Sequence, residues 1–209
     1  MAKRSDFFIR RLHSLIGIIP IGIFLCVHLL LNSTALGGPF TYLATIEGMR
    51  DVPFIIVAEL VIIALPILFH AIYGFYVVYV SKNNTLRYNY LKNWMFYLQR
   101  ITAIIVTIFV LFHVLTLRIF THDSVEVIVT FVNMLQSPLC FIFYCIGVIA
   151  SIYHFSNGLF TFFITWGIIQ GPRIQKIFTV ITMVIFAGLS VVALATLWVI
   201  AGYPHIGAF

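Results

Sequence analysis

Residues 55–80 read IIVAELVIIALPILFHAIYGFYVVYV, an apolar run with one acid, Glu59, and one histidine, His70. A membrane-spanning helix needs about 20 consecutive, mainly apolar residues. Three more runs have the same design with one internal histidine each: residues 16–31 with His28, 101–117 with His113 and 138–164 with His154. An ionisable side chain is costly inside a bilayer, and its presence there indicates a function. We therefore expect the four histidines to serve a common buried site.

The composition predicts an all-α integral membrane bundle. The chain has 209 residues, of which 62% are apolar and 9% charged, and its mean hydropathy is +1.11. We predict a single domain, residues 1–209, with five transmembrane helices at about residues 12–33, 54–81, 98–120, 138–168 and 176–202. The fifth has no internal histidine, and residues 121–137 are predicted to form a loop. Pro66 predicts a kink in helix II.

The basic residues predict the orientation in the membrane. Ten of the twelve Lys and Arg residues lie in the N-terminal segment and in the second and fourth loops, and only Arg50 and Arg118 lie in the first and third. The positive-inside rule then places the N-terminus in the cytoplasm and the C-terminus outside. This placement assigns the net charge of +6 to topology and argues against a nucleic-acid partner. The three cysteines form no CxxC or CxxCH motif, which argues against a zinc site or covalently attached haem.

Depth sorts the four internal histidines into two pairs. At 1.5 Å per residue, His28 and His113 lie roughly 6–8 Å below the outer boundary. His70 and His154 lie roughly 25 Å below it, towards the cytoplasm. We therefore predict that His28 and His113 supply the two axial ligands of an outer metal, and that His70 and His154 supply those of an inner one.

The spacing of the histidines repeats within the chain. His70 follows His28 by 42 residues, and His154 follows His113 by 41, so helices I–II and III–IV read as two similar hairpins. Gly74 and Gly158 each lie four residues after an inner histidine, on the same helical face. We expect the missing side chains to leave room for a flat macrocycle.

Pairs of histidines in apolar surroundings favour haem b. Two axial imidazoles leave iron no open position, which suits electron transfer rather than oxygen binding. The propionates of such a haem need cations or hydroxyl donors near an interface. The predicted inner donors are Arg10, Arg11, His13, Ser14 and Arg100, and the predicted outer donors are Arg118 and Asn32.

Two haems at different depths make an electron path that needs a donor and an acceptor. The sequence has no flavin or nucleotide motif and no cysteines spaced for an iron–sulfur cluster, so we place the donor on another subunit. A lipid-soluble quinone is the natural acceptor, and its reduction needs a proton donor. Glu59, near the outer end of an apolar helix, is the first candidate, and Asp51 is the second.

Four segments resemble a known family. Residues 10–32, RRLHSLIGIIPIGIFLCVHLLLN, 65–74, LPILFHAIYG, 92–104, KNWMFYLQRITAI, and 151–159, SIYHFSNGL, resemble the diheme cytochrome b membrane subunit of bacterial succinate:menaquinone oxidoreductase, of the type found in Bacillus-like bacteria. The resemblance runs from Arg10 to about Lys176 and is weaker over helix V.

The resemblance implies four haem-ligating histidines at positions 28, 70, 113 and 154. It also implies a bacterial plasma-membrane protein whose cytoplasmic side docks a flavoprotein and an iron–sulfur subunit. Succinate would be oxidised in the flavoprotein, and electrons would pass from the iron–sulfur subunit through the inner and then the outer haem to menaquinone.

Three alternatives remain open at this point. The same scaffold serves quinol:fumarate reduction. Histidines in a membrane also occur as proton relays in channels and transporters. A structural anchor without haem is the third alternative. The cytochrome b of cytochrome bc complexes is disfavoured, because no helix here carries two internal histidines.

Overall fold

The computed structural model describes residues 4–204. The predicted all-α membrane bundle is confirmed: five helical spans, Asp6–Gly37, Ile55–Val80, Leu91–Ile119, Pro138–Thr165 and Pro172–Ala201, are long and apolar enough to cross a membrane. Few side chains within the spans are buried by protein, and most large apolar side chains are exposed. That distribution suits a surface covered by lipid.

The first span is a broken helix. Helix α1 covers Arg4–Ile18, α2 covers Pro20–Asn32, and a short 3₁₀ turn, Ser33–Gly37, ends the span. The break occurs because Pro20 has no N–H and removes one backbone hydrogen bond, while Ile19 and Ile23 still make theirs. Helix I also begins well before the predicted residue 12, at Arg4.

The second span contains a π-helical segment. After helix α3, Pro39–Arg50, the span consists of α4, Ile55–Ala58, the π segment Glu59–Ala64 and α5, Leu65–Val80. Pro66 lies in the first turn of α5, where a missing N–H is tolerated. The chain thus accommodates this proline next to a π segment, a common irregularity at functional sites.

The third span begins earlier than predicted. Helix α6 covers Leu91–Val114, and a second π segment, Leu115–Ile119, completes it. The predicted start at residue 98 was wrong because the polar and aromatic residues 91–97 are helical. Asn93 anchors this first turn by donating to Asn84 Oδ1 at 3.0 Å and to the Tyr88 carbonyl at 2.8 Å.

The segment predicted as a loop after helix III contains helix α7, Ser124–Gln136. Asp123 caps it by accepting a hydrogen bond from the Glu126 amide at 2.7 Å. This helix is too short to span a bilayer, and it packs against α8, Pro138–Thr165, and α9, Pro172–Ala201. Helix α8 begins at the predicted residue 138 and ends three residues early, and α9 begins four residues before and ends one residue before its predicted bounds.

Helix α8 lies at the centre of the bundle. It packs against α6 and α9, and α1 packs against both α5 and α8. The larger buried cluster lies where α3, α7, α8 and the end of α9 meet, and it includes Tyr42, Phe131, Val132, Tyr144 and Ile200. This arrangement brings the helices with internal histidines side by side.

Candidate functional site

The four internal histidines meet in the two pairs expected from their depths. The ring centroids of His28 and His113 are 5.8 Å apart and their planes cross at 84°. Those of His70 and His154 are 6.2 Å apart and cross at 90°. No ring contact joins His28 to His70, or His113 to His154, in residues 4–204. A metal–imidazole bond of about 2.0 Å on each side would place two opposed ring centroids roughly 6.3 Å apart, so both pairs have the spacing of axial ligands.

The inner histidines direct one ring nitrogen to backbone carbonyls. His70 Nδ1 donates to the His13 carbonyl at 3.1 Å. His154 Nδ1 donates to the Gln99 carbonyl at 3.2 Å and approaches Thr102 Oγ1 at 3.3 Å. A neutral imidazole that donates from Nδ1 keeps the lone pair of Nε2, and such a second hydrogen bond is what orients metal-ligating histidines. The inner pair therefore fits a bis-imidazole haem through Nε2.

The outer pair is surrounded by aromatic rings. Phe24 contacts His28 at a centroid distance of 5.3 Å, and Phe109 stacks on His113 at 5.7 Å. The Nδ1 atom of His113 is buried and makes no hydrogen bond to any described residue. A buried polar atom without a partner costs about 1–3 kcal/mol. A buried His113 ring nitrogen without a partner in the described chain fits a site whose partner is a bound group rather than another residue.

A hydrogen-bonded chain ties the outer end of the bundle to His28. Asn32 Nδ2 donates to the His28 carbonyl at 2.7 Å, and the Tyr42 hydroxyl donates to Asn32 Oδ1 at 2.7 Å. The Tyr203 hydroxyl donates to the Ala35 carbonyl nearby. Burial, with the nearby Tyr203 and Tyr144 phenols, raises the pKa of Tyr42, so its hydroxyl remains a donor at neutral pH. Asn32 is thus already engaged within the protein.

Two arginines near the inner pair carry unused donors. Arg11 Nη1 and Arg100 Nη2 are buried without a hydrogen-bond partner in the described chain. Arg100 Nη1 donates to Ser81 Oγ at 2.9 Å, so one side of its guanidinium is fixed. Guanidinium nitrogens in such positions match a carboxylate. These two arginines fit the propionates of an inner haem.

The remaining predicted inner donors differ in their engagement. Ser14 Oγ donates to the Arg11 carbonyl at 2.9 Å and accepts from Trp166 Nε1 at 3.0 Å. His13 Nε2 donates to the His70 carbonyl at 3.1 Å, and its ring stacks on that of His70. Arg10 is exposed. His13 therefore touches a candidate ligand directly, whereas Ser14 helps to hold Trp166 against α1.

Glu59 and Arg118, predicted for different tasks, form an ion pair. Arg118 Nη2 and Nε donate to the same oxygen, Glu59 Oε2, at 2.6 and 2.9 Å. Their side chains are 33% and 45% exposed, so the pair adds no more than about 1 kcal/mol to stability. Both residues lie in π segments, and the pair links the second and third spans near the outer pair of histidines.

Asp51 lies in a different place. It lines an open cavity of about 360 Å³ with Glu47, Arg50, His122, Asp123 and Ser124. In this cavity Arg50 Nη1 donates a hydrogen bond to the His122 carbonyl at 2.8 Å. No contact joins Asp51 to Glu59 or Arg118 within residues 4–204, so the structure does not bring the two predicted quinone acids together.

The glycines near the inner histidines are covered by side chains of the neighbouring helix. A methyl group at Gly74 would lie 3.4 Å from His13 Nε2, and one at Gly158 would lie 3.4 Å from Gln99 Nε2. Gly17, Gln99 and Thr102 also contact the inner histidines, and sequence reasoning missed all three. The signal for Gly17 was present: His13, His70 and His154 are each followed by glycine four residues later.

Comparison with known proteins gives two matches. The model of the family "Succinate dehydrogenase/Fumarate reductase transmembrane subunit" matches residues 81–192. The succinate dehydrogenase cytochrome b558 subunit of Bacillus subtilis (strain 168) is 44% identical over 199 residues, which cover 95% of this chain and 98% of that protein.

Proposed function

Because the chain belongs to the succinate dehydrogenase/fumarate reductase transmembrane-subunit family, and is a membrane-anchor cytochrome b subunit of succinate dehydrogenase, we propose that it holds two haems b and delivers electrons to menaquinone. The single observation that supports two haems, rather than one, is that the four histidines lie in two separate pairs. The alternatives of a proton channel and of an anchor without haem have no comparable support.

His70 and His154 hold the inner haem, and His28 and His113 hold the outer one.

The residues around the haems have separate roles. Arg11 and Arg100 offer free guanidinium nitrogens to the inner propionates, with Arg10, His13 and Ser14 close by in the chain. Glu59 occupies Nε and Nη2 of Arg118, so Nη1 is the donor that Arg118 would offer to an outer propionate. The missing side chains of Gly74 and Gly158 leave room for His13 and Gln99, and beside them for contact with the inner haem. When bound, the haems supply reversible one-electron chemistry at two depths.

Menaquinone is reduced near the outer end of the second and third spans. Glu59 is the proposed proton donor, and its ion pair with Arg118 holds the carboxylate in position beside the outer histidines. Asp51 is a second acid on the route from the aqueous phase, in the open cavity at the end of α3. We place the reaction in the direction of succinate oxidation, following the name of the Bacillus relative; quinol:fumarate reduction uses the same residues in reverse.

The partners of an anchor subunit are the catalytic subunits of succinate dehydrogenase. We propose that a flavoprotein and an iron–sulfur subunit dock on the cytoplasmic side of a bacterial plasma membrane. The distribution of basic residues supports this side, because the N-terminal segment and the second and fourth loops carry ten of the twelve. The inner histidine pair then lies nearest to the electron donor.

Haem content and single histidine variants test this function. Pyridine haemochrome analysis of the purified chain should give two b haems per polypeptide. His70→Ala and His154→Ala should both lose the inner haem and give the same reduced-minus-oxidised spectrum. His28→Ala and His113→Ala should both lose the outer haem and share a different spectrum. Absence of haem from folded wild-type protein would refute the proposal. Matching spectra for His28→Ala and His70→Ala would refute the pairing.

A further inference from the structure

Helices α1 and α5 make a reciprocal contact through two histidines. His13 Nε2–H donates to the carbonyl of His70, and His70 Nδ1–H donates to the carbonyl of His13, both at 3.1 Å. The two rings stack with centroids 4.0 Å apart and planes only 6° apart. Each ring is thus held by the backbone of the opposite helix, and the ring of the candidate ligand has a fixed orientation.

The glycine four residues after each histidine makes this contact possible. A methyl group at Gly17 would lie only 2.5 Å from His70 Cε1, and one at Gly74 would lie 3.4 Å from His13 Nε2. The two helices therefore present the same pattern, His-x₃-Gly, to each other. We call this arrangement of His13, Gly17, His70 and Gly74 the α1–α5 contact.

Helices α6 and α8 repeat the contact with a glutamine in place of His13. Gln99 Nε2–H donates to the His154 carbonyl at 2.9 Å, and His154 Nδ1–H donates to the Gln99 carbonyl at 3.2 Å. Gly158 lies beneath the Gln99 amide as Gly74 lies beneath His13. The position four residues after Gln99 is Ala103, the next smallest residue. We call this arrangement the α6–α8 contact.

The Gln99 amide has a fixed orientation as well. Its Oε1 accepts from Asn157 Nδ2 at 2.8 Å, and Asn157 also donates to the Met95 carbonyl at 3.0 Å. Asn157 is fully buried. The Nε2 group of Gln99 is thereby directed to the His154 carbonyl, as His13 Nε2 is directed to that of His70.

We infer that His13 and Gln99 are equivalent positioning residues, each of which holds one inner haem ligand by donating an N–H to the carbonyl of that ligand. The inference rests on the proposed function, because it assigns His70 and His154 to the inner haem. Each residue must supply one N–H at the same place on the partner helix, and an imidazole and a carboxamide both do so. The two side chains are therefore interchangeable, whereas alanine is not.

Exchange variants test the equivalence. In His13→Ala and Gln99→Ala, the backbone carbonyl that accepts from the ligand's Nδ1 remains, so the inner haem should be held about 10-fold more weakly, the lower end of the effect of removing a residue that orients a metal ligand. His13→Gln and Gln99→His should retain it. Retention is measured by titrating apoprotein with haemin, and the orientation of the inner imidazoles by the low-spin ferric electron paramagnetic resonance signal. The outer haem in each sample reports that the variant is folded.

Gln136→Ala is the matched control. Gln136 Nε2 also donates to a carbonyl of another segment, that of Tyr203 at 3.3 Å, but it lies away from both contacts. It should leave the inner haem unchanged. Normal inner haem in both alanine variants would overturn the inference, and so would equal losses in His13→Ala and His13→Gln. Wild-type protein without haem would instead refute the proposed function.

Discussion

Gly17→Ala should displace His70 and weaken the inner haem. The added methyl carbon would lie 2.5 Å from His70 Cε1 and 3.0 Å from Nδ1. Carbon atoms pack comfortably at about 3.5–4.0 Å, so the ring must retreat by about 1 Å. The hydrogen bond from His70 Nδ1 to the His13 carbonyl, 3.1 Å long, would then exceed the range of an effective hydrogen bond.

The structure also sets the expected size of this effect. Inserting a methyl group into a packed site costs about 1–3 kcal/mol. If the strain is relieved only when His70 leaves the haem, the affinity for the inner haem falls roughly 5- to 150-fold, at 1.4 kcal/mol per tenfold. The outer haem should be unaffected, since its histidines lie in the other pair.

The measurement is haem titration of purified apoprotein, followed by reduced-minus-oxidised spectra that separate the two haems. Gly188→Ala is the matched control, because Gly188 lies within α9 and a methyl group there would meet nothing within 4 Å. Its helix should gain up to about 1 kcal/mol from the alanine. A Gly17→Ala protein that binds both haems with wild-type affinity would refute the close packing of His70 against α1.

Two further predictions concern the outer end. Glu59→Gln should slow menaquinone reduction with both haems intact, and it should change the free energy of unfolding by no more than about 1 kcal/mol, because the ion pair with Arg118 is partly exposed; normal quinone turnover would exclude the proton-donor role. Burial raises the pKa of Tyr42 above its ordinary value of about 10. The folded state therefore keeps a proton that the unfolded state loses, and stability should fall as pH rises above about 10. In Tyr42→Phe, unfolding measured from about pH 8 to 11 should show a smaller fall.

Much of the bundle could be predicted because a bilayer constrains the sequence strongly. Each span must be about 20 residues long and apolar, which locates the spans without knowledge of any contact. The pairing of the histidines followed from the same constraint, since a rise of 1.5 Å per residue converts position in the chain to depth. His28 meets His113 and His70 meets His154 as this arithmetic predicts.

Helix α7 was missed because depth says nothing about helices outside the spans. Residues 124–136 are rich in β-branched side chains and too short to cross a bilayer, so they read as a loop. A local signal was available, since Asp123 and Glu126 have the spacing of a helix N-terminal cap. In the structure Asp123 accepts from the Glu126 amide, and Glu126 Oε2 accepts from the His122 amide.

The contacts of Gln99 and Arg118 could not be predicted from the sequence. A polar side chain at a helix end faces either water or a neighbouring helix, depending on how the helix is rotated about its axis. A helix that is apolar on all faces gives no sequence signal of that rotation. Arg118 was assigned to a propionate, yet its guanidinium pairs with Glu59. Gln99 was not predicted to have a role, yet its Nε2 donates a hydrogen bond to the carbonyl of His154.

The first π segment has a consequence for comparing chain lengths among relatives. A π turn holds one residue more than an α turn, and Glu59–Ala64 is followed by regular helix, so it amounts to a single-residue insertion confined to one turn, whereas Leu115–Ile119 ends its span. Deleting one residue from Leu60–Ala64 should therefore restore a regular helix while α4 and α5 keep nearly the same relative orientation. Relatives that lack one residue in the second span should differ at this turn and keep both ends of the span in register.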